Sequence, residues 1–276
     1  SGPDHPDIVV ARRISPGTQK LLGDEGIGWV DETGAAEIAL GLILVSRTGR
    51  RPEAPQETAR WTPSVFAVAE ALLCGIRPTV TDAMERTGLS RGSCQKALHF
   101  LAKQELLDAA AERGRHSARV LRNPDRLLGA YAAAVSAEAP PKSLQVGVSW
   151  RDPIATLSEI GAKWDAIGVK WACTKALAAS LLAPFLSEVN TFDVYVDSRS
   201  LVGLESAALD ADLQILKGGR MTLSPFPTTT SQRLSTRSGG LWLAPWPRVY
   251  ADLRQVGVRG EEAAEHLREV MHARGE

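Results

Sequence analysis

From Thr62 to Gly75 the chain reads TPSVFAVAEALLCG. Its apolar residues fall at helical spacing, with Thr62 or Ser64 near the cap, Pro63 in the first turn and Gly75 as the stop, which predicts a helix. TVTDAMERTG predicts a second, shorter helix, with Asp82 in the first turn, where the helix dipole favours an acid, and Gly88 as a C-cap able to take positive φ. A third helix starting at Ser90 puts Cys94, Ala97, Leu98 and Leu101 at i, i+3, i+4 and i+7, one apolar stripe. LLDAAAERGRHSARVLRN then predicts two short strands around the polar tip ERGRH, and NPDRLLGAYAAAVSAEA a closing helix capped by Asn123 with Pro124 at its first position.

Helix, short helix, tight turn, helix and hairpin are the parts of a winged helix-turn-helix in order. Before them, DIVVARRI predicts a strand, SPGTQKLLGDEG a short helix capped by Ser15, and IGWVDETGAAEIAL with GLILVSR strands separated by turns. TGRRPEAPQETAR has no apolar rhythm and reads as a linker. After APPKS, a second linker at 139–143, strand and helix patterns alternate as in an α/β domain and end in two helices, WPRVYADLRQVG and GEEAAEHLREVMHARG. The expected organisation is α+β and multidomain: a small N-terminal α/β unit (1–47), a linker (48–60), a central winged helix-turn-helix (61–138) and a C-terminal α/β domain (139–276).

Composition adds limits. With 44% hydrophobic and 23% charged residues the 276-residue chain has ordinary globular usage. A net charge of zero argues against a wholly basic architectural DNA binder, but a total can hide a local patch. Three scattered cysteines, Cys74, Cys94 and Cys173, fit reduced thiols of a cytoplasmic protein, and no apolar run reaches the roughly 20 residues of a membrane span. No signal peptide is read, and the opening Ser-Gly-Pro is consistent with a tag-cleavage scar.

Charge does cluster along the helix-turn-helix. Between Arg86 and Arg122 there are eight bases (Arg86, Arg91, Lys96, Lys103, Arg113, Arg115, Arg119, Arg122) and three acids (Glu105, Asp108, Glu112). The side of the third helix opposite its apolar stripe carries Arg91, Ser93, Gln95, Lys96, His99 and Lys103, all donors or donor-acceptors and none acidic. Such a face suits phosphates and base edges. Gly92 costs up to about 1 kcal/mol against alanine in a first helical turn, and a close backbone approach to DNA would require it. The expected DNA-binding set is Thr79, Ser90, Arg91, Gly92, Ser93, Gln95, Lys96, His99, Lys103, Arg113, Arg115, His116 and Arg119, with Arg91, Ser93, Gln95 and Lys96 nearest base edges and the wing arginines on phosphates.

Catalytic chemistry is expected nowhere. NTFDVYVDSRS invites comparison with nucleotidyltransferases, whose metal-binding carboxylates stand two apart on a strand so that they share ions. Asp193 and Asp197 are four apart, about 13 Å along an extended strand, and the upstream ACTKALAAS lacks the Gly-Ser pair. The expectation is a nucleotidyltransferase-like topology without the active site, with a nucleotide-using enzyme acting through Asp193 and Asp197 as an alternative. The five histidines show no metal spacing, KGGR lacks a phosphate-loop context, and Ser231, Ser235 and Thr236 have no base nearby in sequence. Asp31, Glu32 and Glu37 lack the acid-x-lysine pair of a nuclease core. Trp150, Trp164, Trp171, Trp242 and Trp246 concentrate after the second linker, where core filling is favoured over a ligand pocket or an interface. No cofactor and no metal are expected.

GLSRGSCQKALHFLAKQELLDAAAERGRHSARVL resembles the winged helices of bacterial transcriptional regulators, in which a Gly-Leu-Ser turn precedes the reading helix. With VDETGAAEIAL before it and LAPWPRVYADLRQVGVRGEEAAEHL after it, the chain is similar to AbiEi-type antitoxin or regulator proteins, which join a winged helix to an α/β domain. The resemblance implies autoregulatory promoter binding and, in toxin-antitoxin members, neutralisation of a nucleotidyltransferase toxin. The main expectation is a cytoplasmic, sequence-specific regulator that binds double-stranded DNA, self-associating or binding in tandem on repeated sites, with no membrane partner. An antitoxin with a cognate toxin is the alternative.

Overall fold

A computed structural model describes residues 8–11, 14–32, 34–40, 43–47, 60–109, 119–185 and 189–275. Those residues form 11 helices, a four-stranded and a seven-stranded mixed sheet, and a two-stranded hairpin, an α+β protein. They fall into two compact units, Ser1–Arg60 and Trp61–Glu276.

In the first unit, Ser15 accepts the Thr18 N–H on its side-chain oxygen and, with Pro16 behind it, starts α1 (Pro16–Asp24) between β1 (Ile8–Ala11) and β2 (Gly28–Asp31). The two strands pair in parallel, while β3 (Ala36–Leu40) and β4 (Ile43–Arg47) continue the sheet antiparallel in the order β1-β2-β3-β4. The small core is Ile14, Trp29 and Ala35. Asp31 is buried in it, and its two carboxylate oxygens accept the N–H groups of Ile14 (3.4 Å) and Ala35 (3.2 Å). This acid therefore braces the β2–β3 turn.

The second unit starts with α2 (Pro63–Leu73), α3 (Val80–Thr87) and α4 (Arg91–Lys103). Each has a hydroxyl cap: Thr62 accepts Val65 N–H at 3.4 Å, Thr79 accepts Asp82 N–H at 3.1 Å and Ser90 accepts Ser93 N–H at 3.3 Å. Gly88 ends α3 in the left-handed region, φ 73°, and donates its N–H to Met84 O, as the sequence predicts. Buried Thr87 fixes the turn, donating to Ala83 O at 2.6 Å and accepting the Leu89 N–H at 3.2 Å. A hairpin of β5 (Asp108–Ala109) and β6 (Arg119–Val120) follows, and Asn123 caps α5 (Pro124–Ala137). The hairpin tip, with Arg113, Arg115 and His116, lies outside the described residues.

The rest supplies β7 (Leu144–Gly147), α6 (Pro153–Ala166), β8 (Trp171–Thr174), α7 (Lys175–Leu182), β9 (Phe192–Val196), α8 (Leu201–Asp210), β10 (Gln214–Ile215), β11 (Met221–Pro225), α9 (Thr229–Arg233), β12 (Thr236–Ser238), β13 (Leu241–Leu243), α10 (Trp246–Leu253) and α11 (Val258–Ala273). The sheet order is β10-β7-β11-β9-β8-β13-β12. Strand–helix alternation suggests parallel pairing, but only β11–β9 and β8–β13 are parallel here. Periodicity locates a strand without fixing its direction: α7 returns the chain so that β8 and β9 run antiparallel.

The expected break at 139–143 is an exposed stretch, but it does not separate two cores. One apolar cluster runs from Val65 and Leu98 through Leu127 and Tyr131 to Val194, Val249 and Leu267. Two buried polar knots accompany it. Glu70 on α2 accepts the Tyr131 hydroxyl from α5 (2.6 Å) and the Ser231 hydroxyl from α9 (3.0 Å), both on Oε2, while Oε1 has no hydrogen-bond partner. Asp252 on α10 accepts Thr174 Oγ1 (2.5 Å) and Tyr195 Oη (2.6 Å) on one oxygen and pairs with Arg248 Nη2 (2.7 Å) on the other. Arg248 Nε also donates to Tyr195 Oη at 2.9 Å.

Candidate nucleic-acid interface

The third helix divides as its sequence predicts. Cys94, Ala97, Leu98 and Leu101 are buried, and Arg91, Gly92, Gln95, Lys96, His99 and Lys103 are exposed. At about 100° per residue the exposed set spans an arc of about 140° on α4, and no acid falls within it. Burial pushes the Cys94 thiol pKa up, and its sulfur lies 3.8 Å from Thr87 Oγ1, so this cysteine is a core side chain.

Ion pairing sharpens the local charge. Glu105 is held by Arg126 (3.3 Å) and Asp108 by Arg122 (3.0 Å), so these nearby acids are already matched. Among the described residues Arg86, Arg91, Lys96, Lys103 and Arg119 form no ion pair. Arg122, placed by its sequence position among the phosphate-facing wing cations, is instead tied to Asp108 across the base of the hairpin.

The hydroxyl residues of the expected set have structural duties. Ser90 Oγ caps α4 and lies 3.0 Å from Ser93 Oγ, which is half-buried, while Thr79 caps α3. The side chains directed outward from the start of α4 without such duties are Arg91 and Gln95. Gly92 has nothing within 4 Å of the place a Cβ would occupy, so no neighbour in the fold requires a glycine there.

Several of the other candidate side chains have partners in the fold. Asp193 is ion-paired with Lys175 at 2.6 Å, and Asp197 stands exposed beyond the end of β9. Among the described residues no cluster of three or more His, Cys, Asp or Glu side chains is placed to hold a metal. Trp164, Trp171 and Trp246 are buried, and Trp150 is stacked on Phe192 with Arg220 over its other side, so the tryptophans chiefly fill the core. Ser231, which has no base near it in sequence, is brought by folding against the carboxylate of Glu70. Both are buried, which makes the contact a packing element.

Sequence reasoning missed Glu70 and α9. The signal for the first is an acid inside the apolar run FAVAEALL; burial lifts its pKa to about 7, although the Tyr131 hydroxyl pulls the other way. The segment TTSQR has no apolar periodicity to reveal a helix. Comparison with protein-family models, curated proteins and solved structures returned no match. No described helix is long and apolar enough to cross a membrane.

Proposed function

We propose that residues 61–138 act as a winged helix-turn-helix and that the protein is a cytoplasmic, sequence-specific transcriptional regulator binding double-stranded DNA. The observation that carries this reading is the exposed arc of α4: five side chains able to donate hydrogen bonds, no acid and no ion pair among the described residues, on a helix whose other side is locked in the core. Arg91 and Gln95 enter the major groove, where a guanidinium matches guanine O6 and N7 and an amide matches adenine N6 and N7. Lys96 and Lys103 meet the flanking phosphates.

Selection of bound fragments from random duplexes by the purified chain tests the reading; recovery of no enriched sequence would sink it. On an enriched site, Arg91→Ala and Gln95→Ala are each expected to cost about 1–3 kcal/mol and to relax preference at one position. Competition binding with single-base variants of the site checks this.

Gly92 gives a test with two opposite signs. Gly92→Ala should raise stability by up to about 1 kcal/mol, through helix propensity alone, because its methyl group meets nothing in the fold. The same methyl group should lower DNA affinity by intruding where the duplex approaches. Thermal unfolding and a binding titration on one preparation read both effects, and unchanged affinity would remove DNA as the reason for this glycine.

A further inference from the structure

Five residues without apolar rhythm set a cation beside the turn that leads into α4. The α9 helix starts at Thr228, whose hydroxyl accepts the Ser231 N–H at 3.0 Å. Its next turn is anchored by two buried hydroxyls: Thr230 donates to Thr87 O at 3.3 Å and Ser231 to Glu70 Oε2 at 3.0 Å. These anchors fix α9 on α2 and on the end of α3, so the backbone from which Arg233 extends is set by the core. Its guanidinium lies directly on Gly88, where a Cβ would overlap Nη1. Gly88 meets the demand for a positive φ, and the tip of the Arg233 side chain rests on its α-carbon.

Arg233 is exposed and forms no ion pair among the described residues. No acid occurs in the chain between Asp212 and Asp252, so its sequence neighbours do not offset the charge. Gly88 precedes the Ser90 cap by two residues and Arg91 by three, which puts this guanidinium at the mouth of the reading helix. A helix that offers its N-terminal residues to base edges has the sugar-phosphate ridge of the groove passing beside that end. We propose that Arg233 is a phosphate-contacting residue of the DNA interface, supplied from outside the helix-turn-helix and held in register by α9. The proposal rests on the reading that α4 meets DNA. It adds a contact that segment 61–138 alone does not contain.

The test uses the full chain on its selected duplex and on an unrelated duplex, with binding measured across a salt series. Arg233→Ala should weaken both on the order of tenfold near 0.1 M salt, lower the salt slope by about one and leave the preferred sequence unchanged. Arg233→Lys should keep the slope, since the charge remains, which separates a phosphate contact from a packing defect. If Arg91→Ala impairs binding and Arg233→Ala does not, the Arg233 assignment fails and the reading of α4 stands. If neither variant changes binding, the reading of α4 fails and takes Arg233 with it.

Discussion

Asp252→Ala should destabilise the unit Trp61–Glu276 by about 3–5 kcal/mol, the cost of leaving a buried charge without its counter-charge. The Arg248 side chain is only 13% exposed, and without Asp252 its remaining hydrogen-bond partner among the described residues is the Tyr195 hydroxyl. The Thr174 and Tyr195 hydroxyls lose their acceptor in the same step, each at the expense of an unmet buried donor. Urea unfolding of the full chain measures the loss, and a change below about 1 kcal/mol would mean that the site rearranges or takes up water. Because α10 belongs to the core that also holds α2 and α5, the transition of the second unit should shift as one step.

The second large effect depends on pH. Burial raises the Glu70 carboxyl to about 7 from an ordinary value of 4.5, so the fold favours its neutral form. The groups facing it are Tyr131 on α5 and Ser231 on α9, with Arg248 and Asp252 on α10 acting through their charges. A raised acid contributes its stabilisation in full below pH 4.5 and loses it as pH climbs through 7. Over that window the wild-type unit should lose about 3 kcal/mol from this one group. Glu70→Gln keeps the neutral shape and the acceptor oxygen, so it should lack this slope. The variant should match wild type within about 1 kcal/mol at pH 5 and exceed it clearly at pH 8. Parallel urea midpoints at the two values test this; equal slopes in the two proteins would refute it.

These two knots mark the limit of what the sequence discloses. Local chemistry was readable: Ser15 and Asn123 cap the helices they were expected to cap, Thr62 is the one of the Thr62/Ser64 pair that caps α2, Gly88 takes positive φ, and Cys94, Ala97, Leu98 and Leu101 are the buried side of α4. Each rests on neighbours within a turn or two. Contacts that join distant segments were not readable, because a lone Ser231 or Glu70 carries no mark of its partner 161 residues away. The helix α9 is stabilised by buried hydroxyls and not by an apolar stripe, so a periodicity search passes over it. The one apolar cluster on both sides of APPKS was not readable either. Proline and exposure are local properties, whereas the shared core is completed by α10 returning from far along the chain, with α9 tied to α2 and α3 by its hydroxyls.

That shared core bears on how segment 61–138 can be handled. Severing the chain at 139–143 would not release a free-standing fragment, since the hydroxyl of Tyr131 would keep its acid while the surfaces that α9 and α10 cover became bare. Grafting the module onto another protein would call for carrying its far-off scaffolding along.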